Sequence, residues 1–171
     1  FQGHNRLAIL DLSKAGNQPF QDLNKNFSLI FNGQIYNHNK IRNSSKNKNI
    51  QYFSSCDTET LFIELIRNKE NCLSDLSGMW SFVFWDEKNS EIIASRDRFG
   101  MKPLYFYISS KGDICLASEI KAIINLYPES RKPNIKSIHK YISRGWLDHT
   151  SETFFSEIQQ LSPASFMKIK N

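Results

Sequence analysis

Two adjacent residues, Asn32 and Gly33, are of types that could do chemistry together. The carboxamide of asparagine and the backbone N–H of glycine are both hydrogen-bond donors, and glycine lets a backbone come close to a ligand. The pair follows the apolar run 27–31 and precedes the polar segment 34–37. Asn-Gly after an apolar run is the strongest short-range signal for a hairpin turn. We therefore predict that Asn32 and Gly33 end a strand in a turn, which either is only a turn or carries chemistry.

The cysteines and histidines give no support to a metal centre. The three cysteines, Cys56, Cys72 and Cys115, are few and odd in number, which indicates a reducing compartment rather than a disulfide scaffold. The four histidines form no His-x-x-x-His pattern, and the chain contains no Cys-x-x-Cys pattern. We therefore expect no metal and no cofactor in this domain.

The net charge of +5 makes a nucleic-acid partner worth considering. The basic residues are scattered, however, and the densest run, at 40–49, is also rich in Asn and Ser. Such a run is typical of a solvated loop, so we expect no nucleic-acid partner. No apolar run is long enough to cross a bilayer. We accordingly expect no membrane partner and a cytoplasmic location.

Strands and helices are interspersed in the elements that must position these residues. The predicted strands are 7–12, 27–31, 50–53, 79–85, 91–96, 104–108, 114–117 and 164–169. One predicted helix begins at Asp57, which is of a good N-cap type. Two further helices are predicted at 118–126 and 135–143. The strand at 79–85 is apolar on both alternating faces, so both of its faces should be covered. This pattern predicts an α+β fold in which helices enclose stacked sheets.

Several segments, in this order, resemble the glutaminase domain of asparagine synthetases, a class II glutamine amidotransferase. They lie at 4–13, 18–19, 32–37, 56–59, 76–82, 96–105, 117–122, 153–155 and 161–164. The resemblance implies an N-terminal-nucleophile hydrolase fold of four layers, αββα. It also implies a nucleophile that is the first residue of the mature chain, a cysteine whose own α-amino group is the base. On this interpretation, residues 1–171 are one amidotransferase domain, in which 127–171 extend toward a following synthetase domain.

The resemblance implies a role for Asn32 and Gly33 as the oxyanion hole, which receives the negative oxygen formed when an amide is attacked. It implies that Arg6 holds the α-carboxylate of glutamine, because a guanidinium fork suits a carboxylate. Asp57 would receive the α-amino group, and Leu10 would add a backbone carbonyl to it. From the residues alone, a surface arginine before a strand is the favoured interpretation of Arg6. Asp57 could only cap its helix, or one carboxylate could do both.

Two features depart from the family pattern. Gln34 stands where many relatives carry Glu, so a charge near the bound amino acid is lost and the affinity for glutamine could be weaker. The family's nucleophile is also absent, since Phe1 cannot attack an amide and the three cysteines are internal. We therefore expect a domain truncated at its N-terminus, and no glutaminase activity from this chain alone. The segment 96–100 looks like an active-site loop, but we interpret it as structural.

The implied parent enzyme hydrolyses glutamine and passes ammonia to a synthetase domain that amidates aspartate with ATP and Mg²⁺. The expected partners are therefore L-glutamine and that synthetase domain. Two alternatives stay open at this stage. The chain could be a non-catalytic, amidotransferase-like binding or scaffold module, or it could serve an acceptor other than aspartate.

Overall fold

A computed structural model describes residues 1–5, 11, 13–47, 49–147 and 149–170 of the chain. The strands are β1 (Phe20–Gln21), β2 (Phe27–Ile35), β3 (Gly78–Asp86), β4 (Glu91–Arg96), β5 (Tyr105–Ile108), β6 (Ile114–Ala117), β7 (Gln159–Gln160) and β8 (Ser165–Lys170). The α-helices are α1 (His38–Arg42), α2 (Asp57–Asn68), α3 (Ile120–Leu126) and α4 (Ile135–Arg144). The strands form two antiparallel sheets, one with the order β1-β2-β3-β4-β8 and one with the order β6-β5-β7.

Helices and sheets stack in four layers. On one face of the five-stranded sheet, α2 buries Leu61, Phe62 and Leu65 against the aromatic side chains of β3. A second apolar cluster fills the space between the two sheets; its buried members are Val83, Ala94, Leu104 and Leu161. On the outer face of the three-stranded sheet, Ile123 of α3 packs with Tyr107 of β5. This αββα arrangement confirms the predicted α+β fold.

The long apolar elements follow the sequence prediction. The predicted coverage of β3 on both faces is confirmed, because Phe82 and Phe84 belong to the cluster under α2 and Val83 to the cluster between the sheets. The hairpin partner β4, the pair β5 and β6, the helix α4 and the closing strand β8 also match their predicted positions within one or two residues. The predicted strand at 7–12 falls almost entirely outside the described residues.

Two local predictions are wrong. The segment 50–53 is not a strand, because the backbone N–H groups of Phe53 and Ser54 donate to the Glu59 carboxylate, each at 2.8 Å, instead of to another strand. The helix predicted from Ser118 begins at Ile120, with Glu119 in the N-cap position and no side-chain capping bond.

The predicted turn at Asn32 and Gly33 is also wrong, since both residues lie inside β2. The strand continues because Asn32 pairs with Ser81 and Gln34 pairs with Met79 across β2 and β3. The chain leaves the sheet only after Ile35, where α1 follows from His38. Residues 32 and 33 are therefore held by pairing with β3 and not by a loop.

The C-terminal segment contributes to both sheets. β7 pairs with β5, and β8 pairs with β4 along six residues. Residues 127–170 thus close the two sheets of this domain; that they lead toward a synthetase domain stays a prediction. Within the described ranges, no helix is long and apolar enough to cross a membrane.

Candidate functional site

Beyond the short strand β1, no strand among the described residues pairs with the outer edge of β2. This stretch of β2 is called the free edge below. Alternate residues of an antiparallel strand point their N–H groups to opposite sides, and those of Phe31 and Ile35 point away from β3. The Phe31 N–H donates to Gln18 Oε1 at 2.6 Å, and the Ile35 N–H donates to Asp57 Oδ2 at 2.7 Å. The Gly33 N–H lies between them on the same edge, and no described residue accepts from it. It is therefore a donor that the described part of the chain leaves open.

Gly33 is also needed for the packing of β2 against β3. Its φ is 156°, and a Cβ there would lie 2.1 Å from the carbonyl oxygen of Met79. The facing strand has the same feature at Gly78, where a Cβ would lie 2.1 Å from the carbonyl oxygen of Gln34. The two glycines let the strands approach closely where the free edge begins, so any side chain at 33 would displace the open donor.

A polar row of side chains crosses the sheet next to this edge. Ile30, Val83, Ala94 and Met167 are paired across four strands and belong to the apolar layer between the sheets. Two residues further along, the row consists of Asn32, Ser81, Arg96 and Ser165. Paired residues share a face of a sheet, so the apolar layer ends and a polar surface begins at this row.

Asn32 is half-buried in that row, and among the described residues its carboxamide has no hydrogen-bond partner. Gln34, two residues on, lies on the same face and is also half-buried. The free Gly33 N–H and the Asn32 carboxamide thus come from consecutive residues. Together they can donate two hydrogen bonds to one oxygen atom of a ligand.

The Asp57 carboxylate lies at the same edge of β2, beside Ile35, which is two residues beyond Gly33. It is the first residue of α2 and is buried, and Cys56 takes the N-cap position without a side-chain capping bond. The carboxylate accepts from the Ile35 N–H at 2.7 Å, and the N–H groups of Asp57 and Thr58 at the start of α2 also act on it. Burial raises the pKa of Asp57, opposed by the Ile35 N–H and by His38.

The loop that presents Asp57 is held by two charged side chains. Arg42 donates to the carbonyl oxygens of Ser54 and Cys56, at 2.7 and 2.5 Å, and to Thr60 Oγ1 at 2.6 Å. The Glu59 carboxylate accepts from two backbone N–H groups of the loop. The loop therefore fixes the position of Asp57 against β2.

His38 is a further buried polar group near Asp57. Its Nδ1 has no hydrogen-bond partner among the described residues. Burial lowers the pKa of His38, while the Asp57 charge opposes that shift. Burial thus favours the neutral form of the His38 imidazole.

The loop 97–102 differs, because its polar groups are satisfied internally. Asp97 is fully buried and accepts backbone N–H bonds from Phe99, Met101, Lys102 and Trp80 at 3.0–3.2 Å. Burial on its own would raise the pKa of Asp97, but those four N–H groups outweigh it and the pKa is lowered. The structural interpretation of this loop is therefore supported by its hydrogen bonds.

The cysteines are poorly placed for nucleophilic chemistry. Cys56 and Cys72 are buried, and burial raises the pKa of the Cys72 thiol to about 12. Burial also raises the pKa of Cys115. Since the thiolate is the reactive form, Cys72 and Cys115 are held in the inert state at neutral pH. Among the described residues, no group of three or more His, Cys, Asp or Glu side chains could hold a metal ion.

The structure brings four of the predicted site residues to one end of β2: Asn32, Gly33, Gln34 and Asp57. Arg6 and Leu10 lie outside the described residues, so their predicted roles stay predictions. Sequence analysis missed two buried polar residues at this site, Ser81 and His38. His38 follows the Asn-Gly motif closely and could have been found from that proximity, whereas Ser81 becomes visible only through the strand register.

Comparison with known proteins places this chain in a family. The family model for a glutamine amidotransferase domain matches residues 1–171. The chain is 45% identical over 138 residues to a probable glutamine-hydrolysing asparagine synthetase of Acanthamoeba polyphaga mimivirus, covering 78% of this chain and 24% of that protein. It is 37% identical over 124 residues to glutamine-hydrolysing asparagine synthetase 3 of Bacillus subtilis (strain 168), covering 71% of this chain and 20% of that protein.

A solved structure supports the same assignment. Glutamine phosphoribosylpyrophosphate amidotransferase from B. subtilis, complexed with ADP and GMP, matches with a TM-score of 0.58 and 27% identity, over 70% of this chain and 28% of that chain. The chain spans about a quarter or less of the two curated relatives it matches. On the family match over its whole length and the shared fold, the chain belongs to the glutamine amidotransferase domain family.

Proposed function

We propose that this domain binds L-glutamine at the end of β2 and positions its side-chain amide for hydrolysis. The observation that carries the proposal is the open Gly33 N–H beside the half-buried Asn32 carboxamide, on the same edge as the buried Asp57 carboxylate. Successive residues of a strand are about 3.4 Å apart. Gly33 is therefore separated by roughly 7 Å from Ile35, whose N–H donates to the Asp57 carboxylate. That distance suits an extended glutamine, from its side-chain amide to its α-amino group.

In this proposal, each group at the edge meets the part of glutamine that complements it. Asn32 and Gly33 donate to the amide oxygen, which becomes negative when a nucleophile adds to the carbon. Donors fixed in advance for such an oxygen are usually the largest electrostatic contribution to catalysis. Asp57 accepts from the α-ammonium group, and Gln34 offers a neutral acceptor nearby. From the family resemblance, we further assign the α-carboxylate to Arg6 and a carbonyl contact with the ammonium to Leu10.

Addition of a thiolate to the amide carbon forms a tetrahedral oxyanion. Its collapse, with a proton delivered to the departing nitrogen, releases ammonia and leaves a thioester, which water converts to glutamate and the free thiol. None of Cys56, Cys72 and Cys115 suits this step, since each is internal and has no free α-amino group to act as base. We therefore assign the nucleophile to a first-residue cysteine, as the resemblance implies.

The use of the ammonia is proposed from the relatives alone. Two of them are named glutamine-hydrolysing asparagine synthetases. We propose that the natural protein passes ammonia to a synthetase domain that amidates aspartate with ATP and Mg²⁺, and that this domain itself uses no cofactor. The three free cysteines support a reducing compartment, and we propose the cytoplasm.

Two measurements test the proposal. This domain is titrated with L-glutamine in a calorimeter, and the release of ammonia and glutamate is assayed in the natural protein, meaning the full-length protein that contains this domain and the proposed cysteine. We expect saturable binding of L-glutamine, no binding of D-glutamine, and ammonia and glutamate in equal amounts. Asp75→Asn, at an exposed aspartate, is the control and should bind as the wild type does, whereas Asp57→Asn should not. A protein that binds no glutamine would overturn the proposal, and binding without ammonia release from the natural protein would favour a non-catalytic module.

A further inference from the structure

Ser81, in the middle of β3, carries a hydroxyl group that has no hydrogen-bond partner among the residues that the structure describes. The residue is 2% exposed, and its Oγ makes no hydrogen bond in the described part of the chain. Buried polar groups are nearly always bonded, so an exception needs a physical reason.

The neighbours of Ser81 leave few candidates for that partner. Ser81 pairs with Arg96 of β4 on one side and with Asn32 of β2 on the other. Arginine has no acceptor, and the Arg96 guanidinium already donates to acceptors in the segments 100–102 and 160–161. Met79 and Val83, the neighbours on the same face of β3, are apolar. Asn32 is therefore the polar residue directly opposite, and Gln34 lies on the diagonal.

We propose that Ser81 is a positioning residue for Asn32, an inference that rests on the function proposed above. As the oxyanion develops on bound glutamine, the Ser81 hydroxyl donates to the carboxamide oxygen Oδ1 of Asn32. Directly opposite residues have Cβ atoms about 4.5–5.5 Å apart, which brings the two side chains within reach of each other. A carboxamide whose oxygen is held from the β3 side must direct its NH₂ group away from β3, toward the free edge and the amide oxygen of glutamine.

If Ser81 positions Asn32, its replacement should change the rate of hydrolysis without lowering the stability of the fold. In the free protein the hydroxyl is unpaired, so Ser81→Ala removes a group that the fold does not satisfy and should leave the urea midpoint unchanged or raised. Loss of one neutral hydrogen bond in the transition state corresponds to a drop of about 5- to 10-fold in kcat for glutamine hydrolysis, with KM unchanged. A merely structural serine would show the opposite pattern.

Ser95 provides a matched control on the adjacent strand. It is also 2% exposed, but its Oγ accepts from Trp80 Nε1 at 3.1 Å and donates to the Ser165 carbonyl oxygen at 3.3 Å. Ser95→Ala should therefore lower the urea midpoint and leave kcat as it is. Ser81→Thr keeps the hydroxyl and should restore most of the lost kcat.

The experiment measures kcat, KM and the urea midpoint for these variants in the natural protein, together with a double-mutant cycle. We expect Ser81→Ala to have no further effect on kcat in an Asn32→Ala background, and its full effect in a Gln34→Ala background. Equal kcat values for wild type and Ser81→Ala, additive effects with Asn32→Ala, or coupling to Gln34 instead would each overturn the inference while leaving glutamine hydrolysis intact. A wild-type protein that neither binds nor hydrolyses glutamine would overturn both the inference and the proposed function.

Discussion

The end of β2 and the loop 97–102 are both rich in polar residues, but they differ in whether their hydrogen-bonding groups have partners within the described part of the chain. In the loop, the Asp97 carboxylate accepts four backbone N–H groups and the Arg96 guanidinium donates to four oxygens. At the end of β2, the Gly33 N–H and the Ser81 hydroxyl have no partner among the described residues. A satisfied network stabilises the fold, whereas groups that the fold leaves open are available to a ligand.

The comparison predicts that substitutions in the loop act on stability and those at the end of β2 act on glutamine. The largest effect is expected for Asp97→Ala, which leaves four backbone N–H groups without their charged acceptor. We expect a loss of about 4 kcal/mol in the free energy of unfolding, measured by urea denaturation. Asp75→Ala, at an exposed carboxylate, is the control and should change stability by less than about 0.5 kcal/mol. Equal effects of the two substitutions would contradict the structural assignment of the loop.

The same carboxylate gives the loop a pH dependence. The pKa of Asp97 is lowered in the folded protein, so its contribution to stability is present above the unfolded-state pKa of about 3.9. That contribution is lost as the pH falls through the lower folded-state pKa. The wild type should therefore lose stability on acidification more steeply than Asp97→Ala does, as followed by urea midpoints at successive pH values.

Gly33→Ala should affect both stability and glutamine binding, because a Cβ would lie 2.1 Å from the Met79 carbonyl oxygen. Relief of that clash requires β2 and β3 to separate, at a cost of about 3 kcal/mol. Gly112→Ala is the matched control, since Gly112 also has a positive φ, 87°, but has nothing within 4 Å of an added Cβ. If both variants lose the same stability, backbone strain and not close packing explains Gly33.

Asn32→Ala should leave the fold intact and lower kcat for glutamine hydrolysis by roughly 10²- to 10³-fold, about 3 kcal/mol, with little change in KM. The reason is that the hydrogen bond from the carboxamide to this oxygen is proposed to become strong only once the oxygen is charged. Asn37→Ala is the matched control: the Asn37 carboxamide bonds the Asp75 carbonyl oxygen and the Ser77 N–H, so this variant should lose stability and keep kcat. A rise in KM alone for Asn32→Ala would argue against an oxyanion role.

Asp57→Asn is expected to weaken glutamine binding by about 10- to 100-fold, equivalent to about 2 kcal/mol, through loss of one charged hydrogen bond. Burial raises the pKa of Asp57, so wild-type binding should weaken as the pH falls through a value above the ordinary 3.9 of aspartate. Calorimetric titrations across the acidic range would show this dependence in the wild type and its absence in Asp57→Asn. A pH-independent wild-type affinity would exclude Asp57 as the ammonium acceptor.

The sequence was sufficient for the long apolar elements and insufficient for the geometry around them. The run 79–85 predicts a doubly covered strand, since it is apolar on both faces, and α2 follows from apolar residues at helical spacing. The Asn-Gly pair was misassigned as a turn because its local turn propensity is overridden by cross-strand pairing through Gln34, a tertiary effect. For the same reason Ser81 gave no signal, since its place opposite Asn32 depends on a register that no local pattern encodes.

The central claim, that the open donor on β2 receives an oxygen of glutamine, is tested most directly by the amide NMR resonances of the strand edge during a glutamine titration. Phe31 serves as the internal reference, because its N–H group is already bonded to Gln18, which lies outside the proposed glutamine contacts. We predict that the Gly33 amide proton moves strongly downfield with saturation while that of Phe31 moves little. A Gly33 resonance that stays in place at saturating glutamine would contradict the claim.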